Sequence, residues 1–141
     1  MECKNVSDLM SSDVVTLEQH ETLSIADRVM TLGRIRHMPV VSEGRVVGLI
    51  SQRNLLHNAL TDALGDSRSD NMEVLNSIKV SECMTKDPET CSSTTSLAEA
   101  ADMMLKHKYG CLPVVDDDAL VGILTESDFV AAFASGNVAK G

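Results

Sequence analysis

Aromatic residues are almost missing from this chain of 141 residues, which has no Trp and holds only Tyr109, Phe129 and Phe133. Any core it forms must be aliphatic and rich in methionine. Long apolar runs are missing too: none approaches the ~18 residues of a membrane-spanning helix. The start, Met1-Glu2-Cys3-Lys4-Asn5, lacks the basic and apolar regions of a signal peptide, so a cytoplasmic protein without membrane partners is expected. Positive charge is scarce, with 12 Lys and Arg against 21 Asp and Glu and a net charge of -9. That balance opposes phosphate backbones, and no basic stripe interleaved with aromatics offsets it, which excludes nucleic acid as a partner class.

Cys3, Cys83, Cys91 and Cys111 show no C-x-x-C spacing and no His at zinc-ligand distance. Reduced thiols and no metal site are the expectation. The chain also lacks G-x-S-x-G, H-E-x-x-H, G-x-G-x-x-G and a P-loop, so no catalytic residues are assigned and an enzyme is not expected.

What is present is globular composition, 43% hydrophobic and 23% charged, at a length that lets a domain bury about 68–70% of its unfolded surface. Within it lies a repeat. Residues 6–56 align with residues 80–130 at a constant offset of 74 without a gap, and about 13 of the 51 positions are identical. Val6-Ser7-Asp8-Leu9-Met10 matches Val80-Ser81-Glu82-Cys83-Met84. Pro39-Val40-Val41 matches Pro113-Val114-Val115, and Val47-Gly48-Leu49-Ile50 matches Val121-Gly122-Ile123-Leu124.

Each copy reads as a short extended piece, helix, strand, strand, helix. Leu23, Ala26, Met30 and Gly33 recur at helical spacing, as do Leu97, Ala100, Ala101 and Met104. Ser96 with Glu99 spells a capping box, and Thr22 is a plainer cap. Met38–Val41 and Val46–Ile50 flank a turn at Ser42-Glu43-Gly44-Arg45; Asp116-Asp117-Asp118-Ala119 takes that place in the second copy and lacks the spacing of a calcium loop. Closing helices are expected over 52–60 and 126–134. The units run 6–64 and 80–134, joined by a linker over 65–79 and followed by a tail over 135–141. The fold class is α/β (α+β): two small three-stranded sheets, each with two helices, related by a pseudo-two-fold axis, with function in the clefts between copies.

The carriers Asp8-Leu9-Met10-Ser11, Ile35-Arg36-His37-Met38-Pro39-Val40-Val41 and Val47-Gly48-Leu49-Ile50-Ser51 return as Glu82-Cys83-Met84-Thr85, Gly110-Cys111-Leu112-Pro113-Val114-Val115 and Val121 to Asp128. With them each unit resembles a CBS domain, the cystathionine beta-synthase type module, and the whole resembles a stand-alone tandem pair. The resemblance implies a regulatory sensor that needs no cofactor. Such a module binds AMP, ADP, ATP or S-adenosylmethionine in its clefts and signals through the packing of a parallel or antiparallel homodimer, with a regulated protein as a further partner. A ligand-free module for structure or partner binding is the alternative, with Phe129, Val130 and Phe133 as its surface.

The family's ribose signature is a Ser or Thr followed three residues later by Asp, and Thr125 with Asp128 matches it in full. A carboxylate accepts from both ribose hydroxyls through charge-assisted bonds, and a helix N-terminus favours phosphate oxygen. The same pair is also an ordinary N-cap with an acidic third position. Thr90, Gly110, Cys111, Leu112 and Pro113 complete the expected ligand site. A weaker second site comprises Thr16, Met38, Pro39, Ser51 and Asn54, because Asn54 brings no charge. Arg36, His37 and Arg53 are candidate phosphate contacts. His37 and Cys111 hold equivalent positions and read as core-edge residues.

Overall fold

A computed structural model describes residues 3–56 and 75–136. The end of the helix expected over 52–60, the first ten residues of the linker expected over 65–79 and most of the tail expected over 135–141 lie outside the described residues. The elements in chain order are α1 (Val6–Leu9), β1 (Leu17–Glu18), α2 (Leu23–Gly33), β2 (His37–Ser42), β3 (Arg45–Ser51), α3 (Val80–Cys83), β4 (Thr85–Lys86), α4 (Leu97–His107), β5 (Cys111–Asp116), β6 (Ala119–Thr125) and α5 (Glu126–Ala134). Residues 52–56 are also helical. The architecture is α+β, with the same order of elements in both copies of the repeat.

The compact units do not follow the boundaries of the sequence repeat. Among the described residues, 15–56 and 75–88 fold as one unit, and 3–14 join 89–136 in the other. Each copy's opening segment therefore packs on the other copy's sheet. Val6 N–H donates to the Thr95 carbonyl (2.9 Å), Ser7 N–H to Ser93 (2.9 Å) and Leu97 N–H to Lys4 (3.0 Å). The partners 74 residues away repeat this pattern: Val80 to Glu21 (2.7 Å), Ser81 to Gln19 (3.1 Å) and Leu23 to Ile78 (2.9 Å). Leu75 and Ile78, within the expected linker, are consequently packed, while Asn76, Ser77 and Lys79 are exposed. Leu75 joins the core of Leu17, Leu23, Ala26, Met30, Met38, Val40, Ile50, Leu55 and Val80.

The exchange also alters the strand count. β2 and β3 pair antiparallel, β1 adds parallel to β2, and β4, from the opening of the other copy, adds antiparallel to β3. The first copy's sheet thus has four strands rather than three. In the other unit β5 and β6 form the ladder, with single bridges from Cys91 to Val114 and from Ser11 to Ile123 on its two sides. Here the flanking segments match the sheet for one residue only.

Alternation along the hairpins explains which face is which. Leu112, Val114 and Leu124 point into a core with Val6, Cys91, Leu97, Ala100 and Met104. Gly33, expected on the buried face of α2, is exposed; it occupies the last position, where the chain is leaving the core. Arg34 and Lys108 cap α2 and α4 in the left-handed region (φ 55° and 57°). Both hairpin turns use two left-handed residues, Glu43-Gly44 and Asp117-Asp118, the type I′ geometry that matches strand twist. Of the expected helix caps, Ser96 Oγ accepts from Glu99 N–H (3.1 Å), whereas the Thr22 hydroxyl bonds to Ser24 instead (2.7 Å).

Two glycines make the exchange possible. A Cβ at position 122 would lie 2.5 Å from Met10 Sδ and 3.0 Å from the Ser11 carbonyl oxygen. One at position 48 would collide with Met84 Sδ and stand 2.8 Å from its Cγ. Each methionine thus lies flat on bare backbone in the middle strand of the other copy. Gly122→Ala and Gly48→Ala should each destabilise by about 1–3 kcal/mol through overpacking. In urea titrations, Gly48→Ala combined with Met84→Ala should cost less than the sum of the singles by about 0.5–3 kcal/mol. Met10→Ala should relieve Gly122→Ala less, because the Ser11 backbone remains in the way.

Candidate functional site

The hairpin of β5 and β6 brings most of the expected ligand residues to one place. Cys111 pairs with Thr125, Leu112 with Leu124 and Pro113 with Ile123, and the Gly110 carbonyl accepts from Glu126 N–H (3.1 Å). Strand end and helix start are therefore locked together. Cys91 N–H donates to the Pro113 carbonyl (3.1 Å), which sets exposed Thr90 beside the same strand. Asp128 stands one helical turn past Thr125.

Thr125 and Asp128 form a reciprocal capping box. One Asp128 carboxylate oxygen accepts from Thr125 N–H (2.8 Å), and Thr125 Oγ1 accepts from Asp128 N–H (3.4 Å) while bonding to Ser127 Oγ (3.0 Å). Such a box satisfies two helix-end amides. Asp128 is half-buried, and its second carboxylate oxygen has no hydrogen bond among the described residues. The cap and a free acceptor coexist in one side chain.

The first copy builds the same box with different chemistry. Asn54 Oδ1 accepts from both Ser51 N–H (2.9 Å) and Ser51 Oγ (2.8 Å), and Ser51 Oγ accepts from Asn54 N–H (3.2 Å). Met38, Pro39 and His37 hold the strand positions, paired with Ile50, Leu49 and Ser51, and Thr16 is exposed just before β1. The Arg36 carbonyl accepts from Gln52 N–H (2.8 Å), as Gly110 does in the other copy. Arg36 and Arg53 are exposed and His37 half-buried, and the His37–Ser51 pairing with the Gln52-to-Arg36 bond brings the backbone of all three candidate phosphate contacts to this junction. Their counterparts at the Thr125 junction are Gly110, Ser127 and Cys111. One junction is basic and the other acidic.

A surface concavity of about 550 Å3 lies elsewhere in the second copy, lined by Thr90, Cys91, Ser92, Thr95, Glu99, Met103, Val115, Asp117 and Asp118. Thr90 alone among the expected site residues borders it. Next to it, the Ser93 hydroxyl (2.6 Å) and N–H (3.0 Å) donate to Asp116 and hold its carboxyl below the usual range. Among the described residues no group of three or more His, Cys, Asp or Glu is arranged to hold a metal ion, and no helix is long and apolar enough to cross a membrane.

With this geometry in view, the comparisons with known proteins are decisive. The CBS domain matches residues 6–60 and 80–135. The chain belongs to the CBS domain family. A CBS domain-containing protein of Dictyostelium discoideum is 32% identical over 127 residues, covering 89% of this chain and 88% of its own length. The uncharacterized protein MJ1225 of Methanocaldococcus jannaschii is 31% identical over 92% of the chain, which spans 47% of that relative, about half its length. In structure, the CBS domain pair of protein MJ0100 in complex with 5′-methylthioadenosine and S-adenosyl-L-methionine superposes with a TM-score of 0.76 at 26% identity, covering 94% of this chain and 97% of that one.

Cys111 lies in the candidate site with no exposed surface. Burial, with a contribution from Glu126, pushes its thiol from 9.0 up to about 12. Burial likewise raises Cys91 and Cys83 to about 11, with help from Asp116 and Glu99 at the first and Glu82 at the second. Thiols raised in the fold keep their protons there and lose them in the unfolded chain. Stability is then complete below pH 9 and falls as pH rises toward 11–12, by up to about 1.4 kcal/mol per pH unit for fully buried Cys111 and by less for partly exposed Cys83. Urea denaturation between pH 8 and 10.5 should show this decline, with a shallower slope in Cys111→Ala.

Proposed function

We propose that this CBS pair is a regulatory module that binds an adenosine-containing ligand at the Thr125 and Asp128 junction of its second copy. CBS domain pairs are regulatory modules rather than catalysts, and the structurally similar MJ0100 pair binds 5′-methylthioadenosine and S-adenosyl-L-methionine. The observation that carries the reading is the open acceptor of Asp128. A half-buried carboxylate with one oxygen held by a helix cap and the other unengaged suits a pair of ribose hydroxyls. Gly110 to Pro113 border it through their backbone, since the side chains of Cys111, Leu112 and Pro113 are fully buried, and exposed Thr90 stands at its edge.

Ser51 and Asn54 give the first copy a weaker site, because Asn54 Oδ1 already accepts twice from Ser51. The basic junction of Arg36, His37 and Arg53 is proposed to meet anionic groups. Which adenosyl compound is bound follows from a screen, AMP, ADP, ATP and S-adenosylmethionine being the compounds to try first. Signalling through a homodimer belongs to the same proposal, with Val130 (68% exposed) and Phe133 (54%) on α5 as its apolar surface. Phe129, grouped with them from the sequence, turns inward and packs on the second copy's core.

A ligand at a hundred times its dissociation constant should stabilise the protein by about 2.7 kcal/mol, visible as a raised melting temperature. Asp128→Asn keeps the cap, as Asn54 shows, and removes the charge. It should weaken binding by about 10–100-fold, the value of a hydrogen bond to a charged group, while leaving the unliganded melting temperature nearly unchanged. A flat screen with all four compounds, or equal shifts in Asp128→Asn, would remove this site from consideration.

A further inference from the structure

The exchanged opening segments have an unusual property: their seats are chemically alike. Residues 3–11 dock on the second copy's sheet with Val6 fully buried, Met10 over Gly122, and Ser11 exchanging both backbone hydrogen bonds with Ile123 (2.9 Å each). Residues 77–85 dock on the first copy's sheet with Val80 fully buried, Met84 over Gly48, and Thr85 paired with Leu49. Both segments open their short helix with an acidic side chain at its third position. Asp8 accepts from Asn5 N–H (3.0 Å) and Lys4 N–H (2.9 Å), which hold its carboxyl below the usual range; Glu82 accepts from Lys79 N–H (2.7 Å).

The recognition code is therefore Val-Ser-acid-x-Met against a strand glycine. Each seat takes a buried Val, a Met on a strand glycine and backbone edges, and Val, Ser and Met are the three identities among the nine aligned strap positions. The first strap reaches its seat through the exposed stretch Ser12-Asp13.

We infer that the seat over Gly122 is a docking site for this segment when a second copy of the chain presents it, giving an interlocked pair of chains. Within one chain the connection through residues 12–14 gives the chain's own strap a high effective concentration, so it wins when it can dock. When it cannot, the strap of another copy offers the same Val, the same Met and the same backbone bonds. Exchange of an identical element between protomers needs no new contact.

Two full-length variants test this. Val6→Asp with Met10→Asp leaves the seat open but spoils the strap, and Gly122→Val keeps the strap but fills the seat. Refolded together, they should give a melting transition above that of either variant alone, growing with total protein concentration. A control pair, in which the Gly122→Val chain also carries Val6→Asp and Met10→Asp, should lack that transition while retaining any ordinary dimerisation. A mixture that melts as the superposition of its two components overturns the proposal, even where one variant is unfolded alone. Interchangeability has its own readout. A chain whose residues 3–11 are replaced by the sequence of residues 77–85 should melt within a few degrees of the parent. A chain carrying the same residues in scrambled order should melt well below it, and equal losses in both would show that the seats discriminate.

Discussion

Everything in this protein depends on the contact of a methionine with a bare strand backbone, made twice. Met10 lies on Gly122 and Met84 on Gly48, and any Cβ at those positions would occupy the space of the sulfur. The contact lets the opening segment of each copy cross to the other sheet, bury Val6 or Val80 completely and add its backbone to the edge. Dispersion from a flexible thioether suits such a shallow seat, since Met fills irregular gaps that a branched side chain leaves open. With only three aromatic residues in the chain, this aliphatic and sulfur-rich packing carries the load that larger rings carry in many domains.

The crossing gives the two junctions their frames. β3 and β6 are each flanked by an arriving segment on one side and by the hairpin partner on the other, and each runs directly into a capping box. Within that shared frame the side chains diverge. Asp128 satisfies an amide with one oxygen and keeps the other, whereas Asn54 spends its carbonyl oxygen on two bonds from Ser51. Arg36, His37 and Arg53 belong to the junction of the amide, and their counterparts Gly110, Cys111 and Ser127 to that of the carboxylate. A duplicated scaffold thereby carries a basic junction in one copy and an acidic one in the other.

Much of this was legible in the sequence. The offset of 74 residues, the helix faces through Leu23, Ala26, Met30 and Leu97, Ala100, Met104, and both hairpins follow from period and turn chemistry, because they depend on neighbours within a dozen residues. Thr125 with Asp128 was equally visible as a cap. Less legible were the packing of Leu75 and Ile78, the inward turn of Phe129 and the fourth strand of the first sheet, all of which rest on contacts between distant segments. The concavity bordered by Glu99, Met103 and Asp117 left no sequence signal beyond polar loop residues.

The sequence by itself determined the repeat, its membership of the CBS family, the order of elements and the loss of charge from Asp128 to Asn54. Tertiary structure alone decided which copy each opening segment joins. The two segments share Val, Ser and Met at matched positions and each seat offers a strand glycine, so motif matching alone does not say which segment takes which seat. Only folding the whole chain breaks that tie, and it sends Met10 to Gly122 and Met84 to Gly48.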